Sequence, residues 1–395
     1  ERLPRVSIPG ALLQIVDGVL EVTAPDVLIG DGTRRLNIKT AKFTTSAPTE
    51  GAHRTGTLSA RVTGPLGPVV DLADRDPARL VRTAGFNPAG IDGKIDGFLR
   101  LSFPLVGDVA LTEFSTEGRF RLTETRIRQA FANHDVTGGK FDIEISDKAV
   151  DVNGDLLLAG IPVRLQGQHH QNQPPERQPP IRLTATLDNA DRNALGLDIN
   201  DLVFGDVPID IAVTRDAKGD IQTRVTADLA RAEVSLESLA WRKPSGKPAT
   251  FAFEPRRHAT GRIDLENVKL TGDTIAAEGS IVIGPDNKPK EFSFREFTLN
   301  TISRLEVHGA MKPGNIWDVK ARGQRFDARE LYRDMFNIGA QTQKPLTKNR
   351  TGLDLTAEID NVFGYNDATL RNVRLTMQRR IDGALDKMTS LDLAA

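Results

Sequence analysis

The chain has 395 residues, with 52 Lys+Arg against 53 Asp+Glu and a formal net charge of -1, so it has no global attraction to nucleic acid or to an anionic membrane surface. Cysteine is absent, which excludes disulfides and thiolate metal sites and agrees with an oxidising compartment. Hydrophobic residues are 39% and aromatics 5%, lean for a compact core of this size, while 34 Gly and 22 Pro supply the punctuation of many short strands.

Taken in chain order, apolar and polar residues alternate at Leu12–Ala24, Arg34–Thr45 and Gly56–Gly64, the period of a strand with one wet face. "DRDPARLVRTAGF" (Asp74–Phe86) has an early Pro77 and a late Gly85, the start and stop of a helix. Strands follow at Gly97–Leu105 and Thr116–Ile127, and "RIRQAFANH" (Arg126–His134) has room for two helical turns.

Next comes "KFDIEISDKAVDVNGDLLLAGIPVRLQG" (Lys140–Gly167), with turn signals at Asp147-Lys148, Asn153-Gly154 and Ala159-Gly160. Its alternation places Phe141, Ile143 and Ile145, with Val152, Leu156 and Leu158 on the return, on one face. Asp142 and Glu144 take the other. A tight turn at Ala159-Gly160 continues the wall as Ile161, Val163 and Leu165. These nine apolar residues are the candidate binding surface.

"QGQHHQNQPPERQPPIR" (Gln166–Arg182) is polar and Pro-rich and predicts an extended surface loop. Strands follow at Ile181–Asp188, Pro208–Asp216 and Ile221–Leu229, with two helical turns at Ala190–Leu197. The second half adds strands at Gly261–Gly272, Thr274–Gly284, Phe292–Leu299, Arg304–Met311 and Asn315–Gly323. Phe326–Gly339 predicts the strongest helix, with Leu331, Met335 and Ile338 on one face and Gly339 as its stop. Strands at Gly352–Asp360, Ala368–Arg379 and Lys387–Leu393 finish the chain. Short Gly/Asp/Asn joints favour antiparallel neighbours, and loose repeats of strand, turn and strand suit stacked hairpins.

Chemistry is scarce. Of six histidines only His169 and His170 are adjacent, and neither has a partner at metal-ligand spacing, so no metal and no cofactor is expected. Acid pairs such as Asp142 and Glu144 alternate with apolar residues, as a solvated sheet face requires. No G-x-S-x-G, phosphate-loop or dinucleotide motif occurs, and the chain is not expected to be an enzyme. Small basic spots with few aromatics beside them do not make a nucleic-acid surface. The apolar stripes fit a packed sandwich or barrel, the ordinary arrangement. They fit, as the less ordinary arrangement, an aliphatic groove for acyl chains, where each buried CH₂ contributes about 0.8 kcal/mol without directional demands. No run of about 18 apolar residues is present to span a bilayer.

Three stretches carry a family likeness. Ala185–Glu254 contains "ADRNALGL", "GDVPIDIAV" with its "RDAKGD" turn, and "LAWRKPSGKPATFAF", in which Trp241, Lys243, Pro244, Gly246 and Pro248 stand out. "GQRFDARELY" (Gly323–Tyr332) and "AGIPVRLQG" (Ala159–Gly167) are the others. From Gly97 onward the chain resembles the AsmA-like family of Gram-negative envelope proteins, the YhdP and TamB relatives, similar in plan to chorein-type bridge proteins. The resemblance implies an all-β fold with minor short helices: a long, curved antiparallel sheet rolled into an open apolar groove of repeated hairpins. Roughly 20 strands at about 4.8 Å would run about 100 Å.

It further implies a periplasmic bridge that conducts phospholipid between inner and outer membrane, the acyl chains on the groove. Envelope proteins would be further partners. A TamB-like assembly or scaffold factor acting on outer-membrane proteins through strand edges is the alternative, and a repetitive β carbohydrate binder is a third. The expected division is an N-terminal β segment with a short helix (1–96), an AsmA-like groove segment (97–255) and continuing groove repeats (256–395). The chain reads as an excerpt whose inner-membrane helix lies outside it.

Overall fold

The computed structural model describes residues 6–30, 36–47, 53–75, 79–83, 87–107, 109, 113–131, 134–171, 173–197, 199–236, 239, 241–329, 351–364, 368–382 and 385–395. The fold is all-β. Twenty-two strands join one mixed sheet that does not close into a barrel, and three more form a small second sheet. The chain divides into two compact units, one of residues 1–185 with 213–221, the other of residues 186–212 with 222–395.

The first unit holds β1 (Val6–Ser7), β2 (Leu12–Val16), β3 (Val19–Ile29), β4 (Leu36–Thr45), β5 (Thr55–Pro65), α1 (Gly67–Ala73) and α2 (Leu80–Thr83). It continues with β6 (Ile91–Pro104), β7 (Ser115–Phe131), β8 (His134–Ile145), β9 (Ala149–Leu158), β10 (Ile161–His170) and the start of β11 (Ile181–Leu187). Each strand from β3 to β11 pairs antiparallel with the next, while β1 and β2 both pair with β3. Short joints such as those between β8, β9 and β10 explain much of the simple order, because a short turn returns the chain beside itself; β5 and β6 are joined instead through α1 and α2.

The second unit holds α3 (Asn189–Ala194), β12 (Val203–Phe204), most of β13 (Val207–Arg215), β14 (Ile221–Asp228), β15 (Glu233–Leu236), β16 (Trp241–Lys243), β17 (Ala249–Arg257), β18 (Ile263–Gly272) and β19 (Ile275–Ile283). It ends with β20 (Pro289–Leu299), β21 (Ser303–Lys312), β22 (Ile316–Asp327), β23 (Gly352–Phe363), β24 (Thr369–Asp382) and β25 (Leu385–Ala394). From β17 to β25 neighbours pair in sequence order, antiparallel except for β22 and β23. That parallel pair makes the sheet mixed, against the purely antiparallel expectation: 24 residues separate the two strands, enough for a return crossover. β12, β15 and β16 form the small sheet.

Several sequence expectations need correction. The described residues of Arg126–His134 are strand rather than helix; β7 runs to Phe131, β8 starts at His134, and Ile127 pairs with Val136. Ile127 and Ala130 gain an apolar cluster by staying in the sheet, and two isolated helical turns have no comparable stabilisation. Asn153-Gly154 is mid-strand in β9, where Gly154 lies beneath the ring of Phe141. Of the polar loop expected at Gln166–Arg182, Gln166–His170 belongs to β10. A missed helix, α1, starts earlier than Asp74, with a proline in its first turn, where the lost N–H is harmless. Within Asp74–Phe86 only Leu80–Thr83 is a described helix. Phe326 and Asp327 end β22 rather than open a helix, and Arg329 is helical; the remainder of that predicted helix, from residue 330 onward, lies outside the described residues.

Bulges maintain the two-faced character where the sequence alternation breaks. Phe294 and Phe297 are three apart, yet both face the same way, because the register against β21 shifts between them. Asn267 takes φ 51° inside the bulge between Leu265 and Val268, and Thr40 takes φ 49° inside the one between Lys39 and Lys42.

Candidate functional site

The hairpin pair β8–β9–β10 shows how the wall is made. Directly paired residues share a face, and the register pairs Ile145 with Val150, Ile143 with Val152, Phe141 with Gly154, Leu156 with Val163, and Leu158 with Ile161. Leu165 pairs with Gly154 and with Leu183. All nine candidate residues therefore lie on one face. The turn between β9 and β10 has two residues, Ala159 at φ 52° and Gly160 at φ 85°, the mirror-image geometry that matches strand twist.

The wall extends across the unit. One row reads Ile38, Val62, Gly97, Phe120, Ile143, Val152 and Gly167, each on the next strand. Every member is aliphatic, aromatic or glycine. The opposite face carries a charge ladder: Arg61–Asp96 at 2.9 Å, Arg121–Asp142 at 2.9 Å and Arg119–Glu144 at 3.3 Å. Asp142 and Glu144 are exposed. The Arg61 guanidinium holds the Asp96 carboxyl below its ordinary range.

What packs on the wall differs from place to place. Near β5 and β6, α1 and α2 supply Leu66, Val69, Val70 and Val81 against Leu36, Val62, Ile91 and Ile95. Around Phe141 the cluster is made by β7 to β11 alone; among the described residues no side chain from another layer joins it. Phe141, Leu156, Ile161 and Val163 are buried by their neighbours in the sheet, whereas Ile143, Ile145, Val152, Leu158 and Leu165 remain partly exposed. A sheet face has no backbone donors or acceptors to offer, since these are used in the ladder. The surface thus suits an occupant that needs burial and no hydrogen bonds.

The second unit repeats the pattern. One row reads Phe251, Leu270, Ala277, Phe297, Leu305, Gly323, Ile359 and Val373. Arg322–Glu358 at 3.2 Å and Lys269–Glu278 at 2.6 Å lie on the wet side. Here the small sheet covers one end of the wall, bringing Val203, Val234 and Trp241 onto Ala249, Ile275 and Leu299.

The cover is held by residues that sequence reasoning treated only as family markers or passed over. Trp241 donates from Nε1 to Thr274 Oγ1 at 3.2 Å. Lys243 is 5% exposed and its Nζ donates to the carbonyls of Ala232, Pro244 and Lys247 at 2.8, 3.0 and 2.9 Å. Burial pushes its ammonium pKa down. Arg192, 2% exposed, donates to the carbonyls of Leu187, Gly205 and Val203 and to the side-chain oxygens of Asn200 and Asn189. Asp188 caps α3 in a capping box with Asp191.

Reactive chemistry is not gathered anywhere comparable. Among the described residues no group of three His, Asp or Glu side chains is placed to hold a metal. His169 sits exposed at the wall's rim opposite Val150, and the backbone of His170 is gripped on both sides by the Gln178 amide at 2.8 Å. Compared with protein-family models, curated proteins and solved structures, the chain matches none.

Proposed function

We propose that the apolar wall is a hydrocarbon track and that the chain conducts phospholipid, with acyl chains on the wall, as a periplasmic bridge between inner and outer membrane. The observation that carries this reading is the cluster around Phe141: an apolar surface built, among the described residues, from its own sheet alone, with five of the nine candidate residues left partly exposed. Its lack of hydrogen-bonding groups suits hydrocarbon better than sugar or peptide. The resemblance to AsmA-like proteins supplies the compartment and the membranes.

The test is Ile143→Asp, read by circular dichroism with thermal melting and by mass spectrometry of co-purified lipid. A carboxylate on a lipid-covered wall is buried unpaired, at a cost of several kcal/mol, so the variant should fold and lose its lipid. A folded variant with normal lipid removes this position from the track. An unfolded one points to a closed core.

A second reading, an envelope assembly factor that acts through a strand edge, draws on β2. Leu12, Leu13, Ile15 and Val16 are 60%, 61%, 67% and 64% exposed, and among the described residues β2 pairs only with β3. Such an edge can accept a further strand. Wild-type protein that purifies without lipid favours this reading.

A further inference from the structure

Some phenylalanines of the wall lie down on glycines. In the second unit Phe292 of β20 pairs with Gly309 of β21. The three atoms nearest to a Cβ placed on Gly309 all belong to the Phe292 ring, with Cε1 at 2.5 Å. The ring therefore fills the space that a side chain would take. It reaches across β21 to Trp317 of β22, with centroids 5.2 Å apart, and stacks on Phe294 at 5.7 Å and 28°. Gly56 in the first unit also lies under a ring, with Phe43 Cε2 at 2.8 Å, but there Leu105 Cδ2 shares the space at 2.9 Å.

Phe141 over Gly154 is different, because the carbonyl oxygen of Lys140 is also within 2.6 Å of the added Cβ. An alanine there would strike the backbone. At Gly309 the nearest atoms it would strike are those of the ring. Standing up, the Phe292 ring would project from the wall beside Trp317, where lying flat it leaves the wall low.

We propose that Gly309 is a positioning residue of the hydrocarbon track. Its missing side chain seats the Phe292 ring flat, which leaves the wall clear beside Trp317 for an acyl chain to lie across the strands. The inference rests on the lipid reading above. The occupant is a hydrocarbon because the residues about the seat, Phe292, Phe294, Val307, Val319 and Trp317, are aromatic and aliphatic, while Arg379 lies two strands beyond Trp317 in the same row. A protein cover, including a second copy of the chain, is the competing occupant.

Trp317 is its own reporter. The only other tryptophan, Trp241, is 5% exposed on the inner face of the small sheet and out of reach of a lipid. The experiment is tryptophan quenching by vesicles of phosphatidylcholine with dibrominated acyl chains, on wild type, Gly309→Ala and Gly309→Ala with Phe292→Ala. Trp317→Phe identifies the share of quenching due to Trp317. Wild type should be quenched, Gly309→Ala should lose about threefold or more of that quenching, and the double variant should return to near wild type. Recovery is the discriminating result, because removing a second apolar side chain would worsen a merely structural defect.

Equal quenching of Gly309→Ala and wild type overturns the inference and leaves the lipid reading standing. No quenching of wild type overturns both, and indicates a protein cover. If Gly309→Ala fails to fold, a double variant that folds and is quenched still supports the seat, and one that fails assigns Gly309 to the backbone and overturns it.

Discussion

The β8–β10 hairpins and the covered end of the second unit are built from the same alternating strands, and they end in opposite states. Under the small sheet, Ala232 is 0%, Leu299 1%, Ile275 3% and Trp241 5% exposed. On β8 to β10 the equivalent positions Ile143, Val152 and Leu165 keep part of their surface open. An apolar stripe is therefore not by itself a core; a second layer makes it one. The second layer here is small, and it is secured by polar means. Arg192 and Lys243 fasten its loops by satisfying backbone carbonyls that would otherwise be buried without partners.

The largest effect that tests this contrast is a matched pair of truncations. Leu299→Ala removes a sealed side chain and should destabilise by about 3 kcal/mol or more, since a cavity remains. Leu165→Ala, on the open wall, should cost about 1 kcal/mol, because its neighbourhood was never sealed. Urea unfolding of both variants measures the difference. Equal losses would mean that the wall around Leu165 is covered, and the contrast between the regions would fail.

Next in size is Arg192→Met. The aliphatic replacement fills much of the volume but takes the Arg192 donor from three backbone carbonyls and from Asn200 Oδ1, while Asn189 Oδ1 keeps the Gly205 N–H, so a loss of about 2–3 kcal/mol is expected. The loss should appear as early exposure of Trp241, seen as a red shift of its emission in a Trp317→Phe background. A loss without that shift would mean that Arg192 serves the strands rather than the cover.

The contrast was only half legible in the sequence. Alternation at Phe141–Ile145 and Ile161–Leu165 assigns the faces, because the side-chain period of a strand is fixed by covalent geometry. Across bulges the sequence misleads: Phe294 and Phe297 look like opposite faces until the register shift between them is known. Cover was hidden for another reason. Which stripe is sealed depends on the long-range placement of Val203, Val234 and Trp241, and their segments alternate like any other. The ring seats were hidden too, since Phe292 and Gly309 meet only through the pairing of β20 with β21. A glycine inside a strand signals close approach without naming the visitor. Arg126–His134 shows tertiary pairing overriding a local helical pattern.

The smallest expected effect is a gain, at the turn between β9 and β10. Ala159 sits at φ 52° and Gly160 at φ 85°, so both central residues occupy the left-handed region. Glycine does so freely, but an alanine Cβ crowds the following carbonyl there. Asparagine tolerates the region better, and Asn-Gly is the preferred pair for a two-residue hairpin. Ala159→Asn should stabilise by about 0.5 kcal/mol, read as a rise in the urea midpoint with an unchanged slope. The substitution touches no wall residue, and the register Leu158 to Ile161 stays as it is. Lipid co-purification should therefore be unaltered, which separates stiffness of the hairpin from openness of its face. If the gain in stability comes with lost lipid, the wall works by flexing at this turn, and the difference between the two regions is one of mobility as well as cover.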